Sequence, residues 1–122
     1  MDKAQAIDIF WNGFGIPAYD ETSVPDDATF PYLTYQVSTS SINETVIMNA
    51  SLWYYGTSWE AVTKTADFIG SYIGRGGIMC LYDGGSLWVK RSTPFAQRMS
   101  DPGDPLIRRI VLTIDAEFIS AN

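Results

Sequence analysis

The chain has 122 residues, of which 46% are hydrophobic and 18% charged. That suits one globular domain and is too apolar for a disordered chain. Its 14 Asp and Glu against 8 Lys and Arg give a net charge of −6, a poor balance for nucleic-acid binding, which needs clustered Lys and Arg. There is no histidine and a single cysteine. This excludes Ser-His-Asp and Cys-His nucleophile sites, His-ligated zinc, an intrachain disulfide and a cysteine metal cluster.

No apolar run approaches the roughly 18 residues that span a bilayer. The start Met1-Asp2-Lys3-Ala4-Gln5 lacks the basic-then-apolar pattern of a secretion signal, so assembly in the cytosol is expected.

Residues 3–11 carry Ala6, Ile7, Ile9, Phe10 and Trp11 between polar residues, which predicts a short helix with Asp2 as its N-cap. Asn12-Gly13-Phe14-Gly15 offers a stop, and Pro17 forbids continuation. Residues 20–31 hold two prolines and four carboxylates and read as a surface loop. Residues 31–39 alternate, with Leu33, Tyr35 and Val37 on one side, as a half-buried strand does. Residues 45–55 alternate again, with Val46, Met48, Ala50, Leu52 and Tyr54 inward. Their opposite face, Ile47, Asn49, Ser51, Trp53 and Tyr55, is partly apolar too.

Thr57-Ser58-Trp59-Glu60 matches a capping box and predicts a helix of about 16 residues behind it. Val62, Ala66, Ile69 and Ile73 form its buried stripe, and Gly74-Arg75-Gly76-Gly77 ends it. Residues 78–82 form a short apolar strand, and Asp83-Gly84-Gly85 is a hairpin signal. The return strand covers residues 86–92, and residues 94–99 read equally as its extension or as loop. Asp101-Pro102-Gly103-Asp104-Pro105 is a rigid break. Residues 106–120 give the cleanest strand, with Ile110, Leu112, Ile114, Ala116 and Phe118 inward. The expected fold is α+β: an antiparallel sheet with two helices packed on one face as a sandwich.

No cofactor motif, metal set or catalytic constellation stands out, and enzymatic activity is not expected. Cys80 lies in an apolar strand with no neighbouring base, so it reads as a core thiol. The carboxylates Asp20, Glu21, Asp26 and Asp27, and the pair Asp101 and Asp104, lack the ordered spacing of a calcium loop. Gly74-Arg75-Gly76-Gly77 follows a helix instead of preceding one, so it is a C-cap and not a phosphate loop.

The aromatic content is the distinctive signal: 4 Trp, 7 Tyr and 6 Phe. Trp53, Tyr55 and Trp88 fall on strand faces away from the core, which points to a partner surface. Ordinary core packing, with the two strand faces reversed, is the first alternative, and sugar stacking is the weaker one. Arg108-Arg109, with Lys90, Arg91 and Arg98, makes a basic set in an acidic chain. Such sign separation suits head-to-tail self-association. The polar segment 38–44, with Asn43 and Glu44, is a candidate docking arm.

The order of features resembles the tail-completion or tail-terminator proteins of long-tailed bacteriophages. The resemblance lies in Gly15-Ile16-Pro17-Ala18-Tyr19-Asp20-Glu21, Val24-Pro25, Phe30-Pro31-Tyr32-Leu33-Thr34-Tyr35 and the closing strand Arg109-Ile110-Val111-Leu112-Thr113-Ile114. The Pro-Tyr-x-Thr-Tyr segment is its most specific piece. The resemblance implies a ring, commonly hexameric, at the head-proximal end of the tail tube. Such a ring ends tube growth and joins the tube to the head connector, with tube and neck proteins as partners. Genomic DNA passes its lumen unbound, the location is the virion, and no catalytic residue is carried over. A different neck or minor tail protein, or a small module binding sugar or peptide through aromatics, is the alternative.

Overall fold

The computed structural model describes residues 1–40 and 44–120. The chain runs α1 (Lys3–Trp11), a 3-10 turn (Asn12–Phe14), β1 (Ala18–Asp20), β2 (Tyr32–Tyr35), β3 (Thr45–Tyr55), α2 (Glu60–Ile73), β4 (Ile78–Tyr82), β5 (Gly85–Met99) and β6 (Ile107–Ser120). The six strands form one sheet in the order β1-β2-β3-β6-β5-β4. The protein is therefore α+β, as expected, but two features of the expected sandwich are corrected. The sheet is mixed, because β1 pairs parallel to β2, with Ala18 opposite Leu33. It also curls into a half-barrel instead of lying as a flat layer.

Helix α1 starts as its sequence dictates. The Asp2 carboxylate accepts from the Gln5 amide at 2.8 Å, and the Gln5 side chain accepts from the Asp2 amide at 2.9 Å. Gly15, at φ 84°, turns the chain out of the 3-10 segment. Helix α2 starts differently from expectation. Thr57 is not its cap; the Ser58 hydroxyl accepts from the Glu60 amide at 3.0 Å, and no reciprocal bond forms. The loop before it is tied elsewhere, with Gly56 N–H on Leu106 O at 2.9 Å. The helix has 14 residues, and Val62, Ala66, Ile69 and Ile73 are buried as the spacing predicts.

Strand β6 is the spine. It pairs with β3 from Tyr55–Ile107 to Thr45–Glu117, and with β5 on its other side. Its inward residues Ile110, Leu112, Ile114, Ala116 and Phe118 are all buried. They meet Met48, Ala50 and Leu52 of β3, Leu87 and Val89 of β5, Leu33 of β2 and the apolar stripes of both helices in one core. Burial of about 25 cal/mol per Å2 of apolar surface is the main force holding this arrangement. Trp11 is fully buried beside Phe10, Phe14 and Tyr35. The Tyr35 hydroxyl donates to Asp8 at 2.5 Å and fastens α1 to β2.

The β4–β5 hairpin turns through Asp83-Gly84, with Gly84 at φ 94°. Residues 94–99 are strand, resolving the choice the sequence left open. A register shift between Arg91 and Ala96 separates the two halves of β5. Beyond Val89, β5 has no strand partner on its outer side among the described residues, because β4 reaches only from Gly85 to Val89 along it.

Candidate assembly surfaces

The strand alternation puts Trp53 on the sheet face away from the helices, as expected. There it sits in an aromatic row. Tyr32 stacks on Trp53 with ring centroids 6.2 Å apart and 18° between planes. Phe30 bridges Tyr32 and Tyr55, at 5.6 and 5.3 Å. Phe30 and Tyr55 are the exposed members, at 40% and 51%. Partial desolvation, with Asp104 nearby, pushes the Tyr55 hydroxyl above the usual tyrosine range. Tyr19, on β1, lies 6.1 Å from Tyr32, so the row reaches the edge of the sheet.

The two arginines do not form one patch. Adjacent strand residues face opposite ways, and Arg108 and Arg109 obey that rule. Arg109 lies on the outer face over the Trp53 ring, 4.5 Å from its centroid, and donates to the buried Ser51 hydroxyl at 3.1 and 3.0 Å. Arg108 points to the helix side, with its guanidinium 5.2 Å from the Trp59 ring. It donates to the carbonyls of Pro105 at 2.7 Å and Thr57 at 3.2 Å. Arg108 thus pins the β5–β6 loop to the β3–α2 loop. Arg98 covers the same Trp59 ring at 4.8 Å. Trp59 is therefore contacted by two cations, a pairing that the sequence reading missed. Its position just ahead of a helix drew attention to capping and away from the ring.

Trp88 is half-buried on the outer face and works inside the molecule. Its indole N–H donates to Gly76 O at 2.8 Å, and Lys90 Nζ lies 4.3 Å from its ring. It anchors the loop between α2 and β4. Glu44 is exposed and accepts from the Ser40 hydroxyl. Asn43 lies outside the described residues, as does the middle of the proposed docking arm.

A second apolar surface lies on the helix side, and the sequence reading did not single it out. Ile9, Phe68 and Tyr72 are 60%, 57% and 56% exposed there, and Leu81, 73% exposed, borders the surface from the sheet edge, since its place opposite Ser86 alternates it to the outer face. Phe14 joins them, packing edge-on against Phe68 and Tyr72 at 6.2 and 5.4 Å. A groove of about 470 Å3 runs between Met1, Ile9, Phe14, Tyr72, Cys80 and Leu81. The signal was present: Phe68 and Tyr72 are four apart and off the buried α2 stripe, so they must face outward together. Cys80 is half-buried, and desolvation raises its thiol pKa, which suits an inert packing thiol.

The acidic loop ahead of β2 is exposed at Glu21, Asp26 and Asp27. Asp20 accepts the Thr22 amide at 2.9 Å and hydroxyl at 2.8 Å, and these bonds lower its pKa. Among the described residues, no group of three or more His, Cys, Asp or Glu is placed to hold a metal ion. Among the same residues the ion pairs are Met1 with Asp83 and Lys64 with Glu60. Neither joins the acidic loop to Arg75, Arg91 or Arg98. No protein-family model and no curated protein sequence matches the chain.

Proposed function

We propose that the chain is a structural subunit of a long-tailed bacteriophage virion. It forms a ring at the head-proximal end of the tail tube, of six copies in the family it resembles. The ring ends tube growth and joins the tube to the head connector. Its partners are copies of itself, the tube protein and the connector or neck protein. The chain's acidic balance favours passage of DNA through the lumen without binding, since like charge repels phosphate. No chemistry is required of it.

One observation carries this reading beyond the resemblance. The sheet has two unlike ends, with the outer aromatic row reaching β1 and the helix-side apolar surface reaching β4. A ring subunit needs two different faces for its neighbours, and further surface for what lies above and below. The aromatic binding-module reading is less well supported, because Arg109 occupies one face of the Trp53 ring and Tyr32 stacks against it too.

The test is electron microscopy of purified tail tubes mixed with the protein. A ring seated on one end of each tube, with further tube growth stopped, is the expected result. Tubes that stay bare and keep elongating would refute the assignment.

A further inference from the structure

We infer that copies of this chain join head to tail through their two open strand edges: the basic edge of β5 in one copy receives the acidic β1 edge of the next. The pairing takes its purpose from the ring reading above, though not its geometry.

Among the described residues the outer side of β5 beyond Val89 is without a strand partner, and residues 93, 94 and 96–99 are exposed. Such an edge is a template for another strand. Pro94 lacks an N–H and the register shift interrupts the first part, so Ala96 to Met99 is the stretch fit to pair. Two arginines attend this edge. Arg91 and Arg98 lie on β5, and Arg91 rests against Gly70 of α2. Among the described residues neither makes an ion pair.

The other end of the sheet is complementary. β1 is the terminal strand, and among the described residues no strand pairs with its outer side. The Asn12 side chain accepts from the Ala18 N–H and the Ser23 amide donates to the Asp20 carbonyl, so the Ala18 carbonyl and the Asp20 N–H are the groups left for a neighbour. It is three residues long, close to the length of the usable part of β5. It ends in Asp20 and runs into the loop with Glu21, Asp26 and Asp27, none of which makes an ion pair among the described residues.

Charge then selects the mode. A two-fold β5–β5 pairing centred on Arg98, inside the stretch fit to pair, sets the two Arg98 side chains directly against each other. A β1–β1 pairing brings Asp20 and Glu21 of both copies together. Like charges directly opposite across strands are destabilising. A β5–β1 contact replaces both repulsions by attraction. It is heterologous, so it builds rings or open filaments and not closed two-fold dimers.

Sedimentation velocity of the full chain at low and high salt tests this, with two charge-reversed variants. One carries Arg91→Glu and Arg98→Glu; the other carries Glu21→Lys, Asp26→Lys and Asp27→Lys. The expected wild type forms assemblies of more than two copies that come apart in high salt, since exposed charges are screened. Each variant alone should associate at least tenfold more weakly, and an equal mixture should recover assemblies. Circular dichroism checks folding, and the single variant Arg91→Glu replaces the first if Arg98→Glu loosens Trp59. Association that survives both reversals, a dimer that closes at two copies, or a wild type that stays monomeric at every concentration would each overturn the edge pairing. A monomer that still caps tail tubes would overturn the edge pairing alone. Assemblies with the expected charge behaviour that ignore tail tubes would keep the edges and sink the phage reading.

Discussion

Arg109 and Trp53 stand directly opposite each other on β6 and β3, and the guanidinium lies 4.5 Å above the indole ring. The same guanidinium donates twice to Ser51, which is 6% exposed. The Trp53 N–H in turn donates to Thr34 at 2.9 Å, so β6, β3 and β2 are stitched in sequence. Arg109→Ala removes the cation–π contact and leaves the Ser51 hydroxyl without these donors. It should destabilise the fold by about 1–3 kcal/mol. Arg109→Lys should recover only part of this, because an ammonium lacks the planar fork. Urea unfolding of both variants checks the order.

The central ladder should be the least tolerant part of the molecule. Leu112 on β6 is fully buried, and Leu112→Ala should cost about 2–5 kcal/mol through lost transfer energy and a cavity. Ile47 on β3 is 64% exposed on the outer face, and Ile47→Ala should stay within about 0.5 kcal/mol. Chemical denaturation of the two variants should separate them clearly. Equal costs would mean the inner and outer faces are wrongly assigned.

How far the fold was legible follows from where its information lies. β6 and α2 announce themselves, because Ile110 to Phe118 and Val62 to Ile73 repeat an apolar period over several turns or pleats. β1 is silent. Its three residues sit between Pro17 and an acidic loop, and a parallel partner 15 residues away leaves no local trace. That omission also made the sheet look wholly antiparallel. The capping box is not used, because the helix starts only at Glu60, whose amide meets the Ser58 hydroxyl, while the Thr57 carbonyl is held by Arg108, 51 residues away. For the surfaces, alternation alone placed Trp53 and Tyr55 outward. Period cannot report that the Trp88 indole reaches Gly76 or that Arg108 turns to Trp59. Those depend on how loops close over the sheet.

Tyr35 should give the protein a measurable alkaline limit. Burial first, and then the hydrogen bond to Asp8, raise its pKa well above the usual tyrosine value of about 10. The folded state favours the neutral phenol. This stabilisation is fully present below about pH 10 and is lost as pH rises through the raised folded value. Thermal melts between neutral pH and pH 11 should fall more steeply for wild type than for Tyr35→Phe. At neutral pH the variant should be less stable by about 0.5–1.5 kcal/mol, having lost the bond to Asp8. Parallel pH profiles would show that Tyr35 ionises without penalty.

Gly85 and Gly76 should respond oppositely to alanine. A Cβ on Gly85 would sit 2.1 Å from the Ile119 carbonyl oxygen, a backbone atom of the neighbouring strand. Gly85→Ala should therefore push β5 from β6 and cost about 1–3 kcal/mol. A Cβ on Gly76 would meet nothing within 4 Å, and its backbone is not in the left-handed region. Gly76→Ala should be neutral or stabilise by about 0.4–1 kcal/mol through the unfolded chain. Melting temperatures of the two variants decide the point.

The helix-side apolar surface should matter to assembly and not to folding. Tyr72 and Ile9 are 56% and 60% exposed, so Tyr72→Ser and Ile9→Ser should each shift stability by less than about 0.5 kcal/mol. The Phe14 ring, which packs edge-on against Tyr72, is otherwise held by Phe10 and Phe68 and should stay in place. A surface of this kind on a solitary protein invites non-specific association, so it is expected to be covered in the working assembly. Binding of a hydrophobic dye to the free wild type should exceed that to the double variant. In the tail-tube mixture the double variant should seat on tubes or connectors at least tenfold more weakly than wild type. Full capping by the double variant would assign those contacts to the outer face, where Phe30 and Tyr55 are the exposed aromatics.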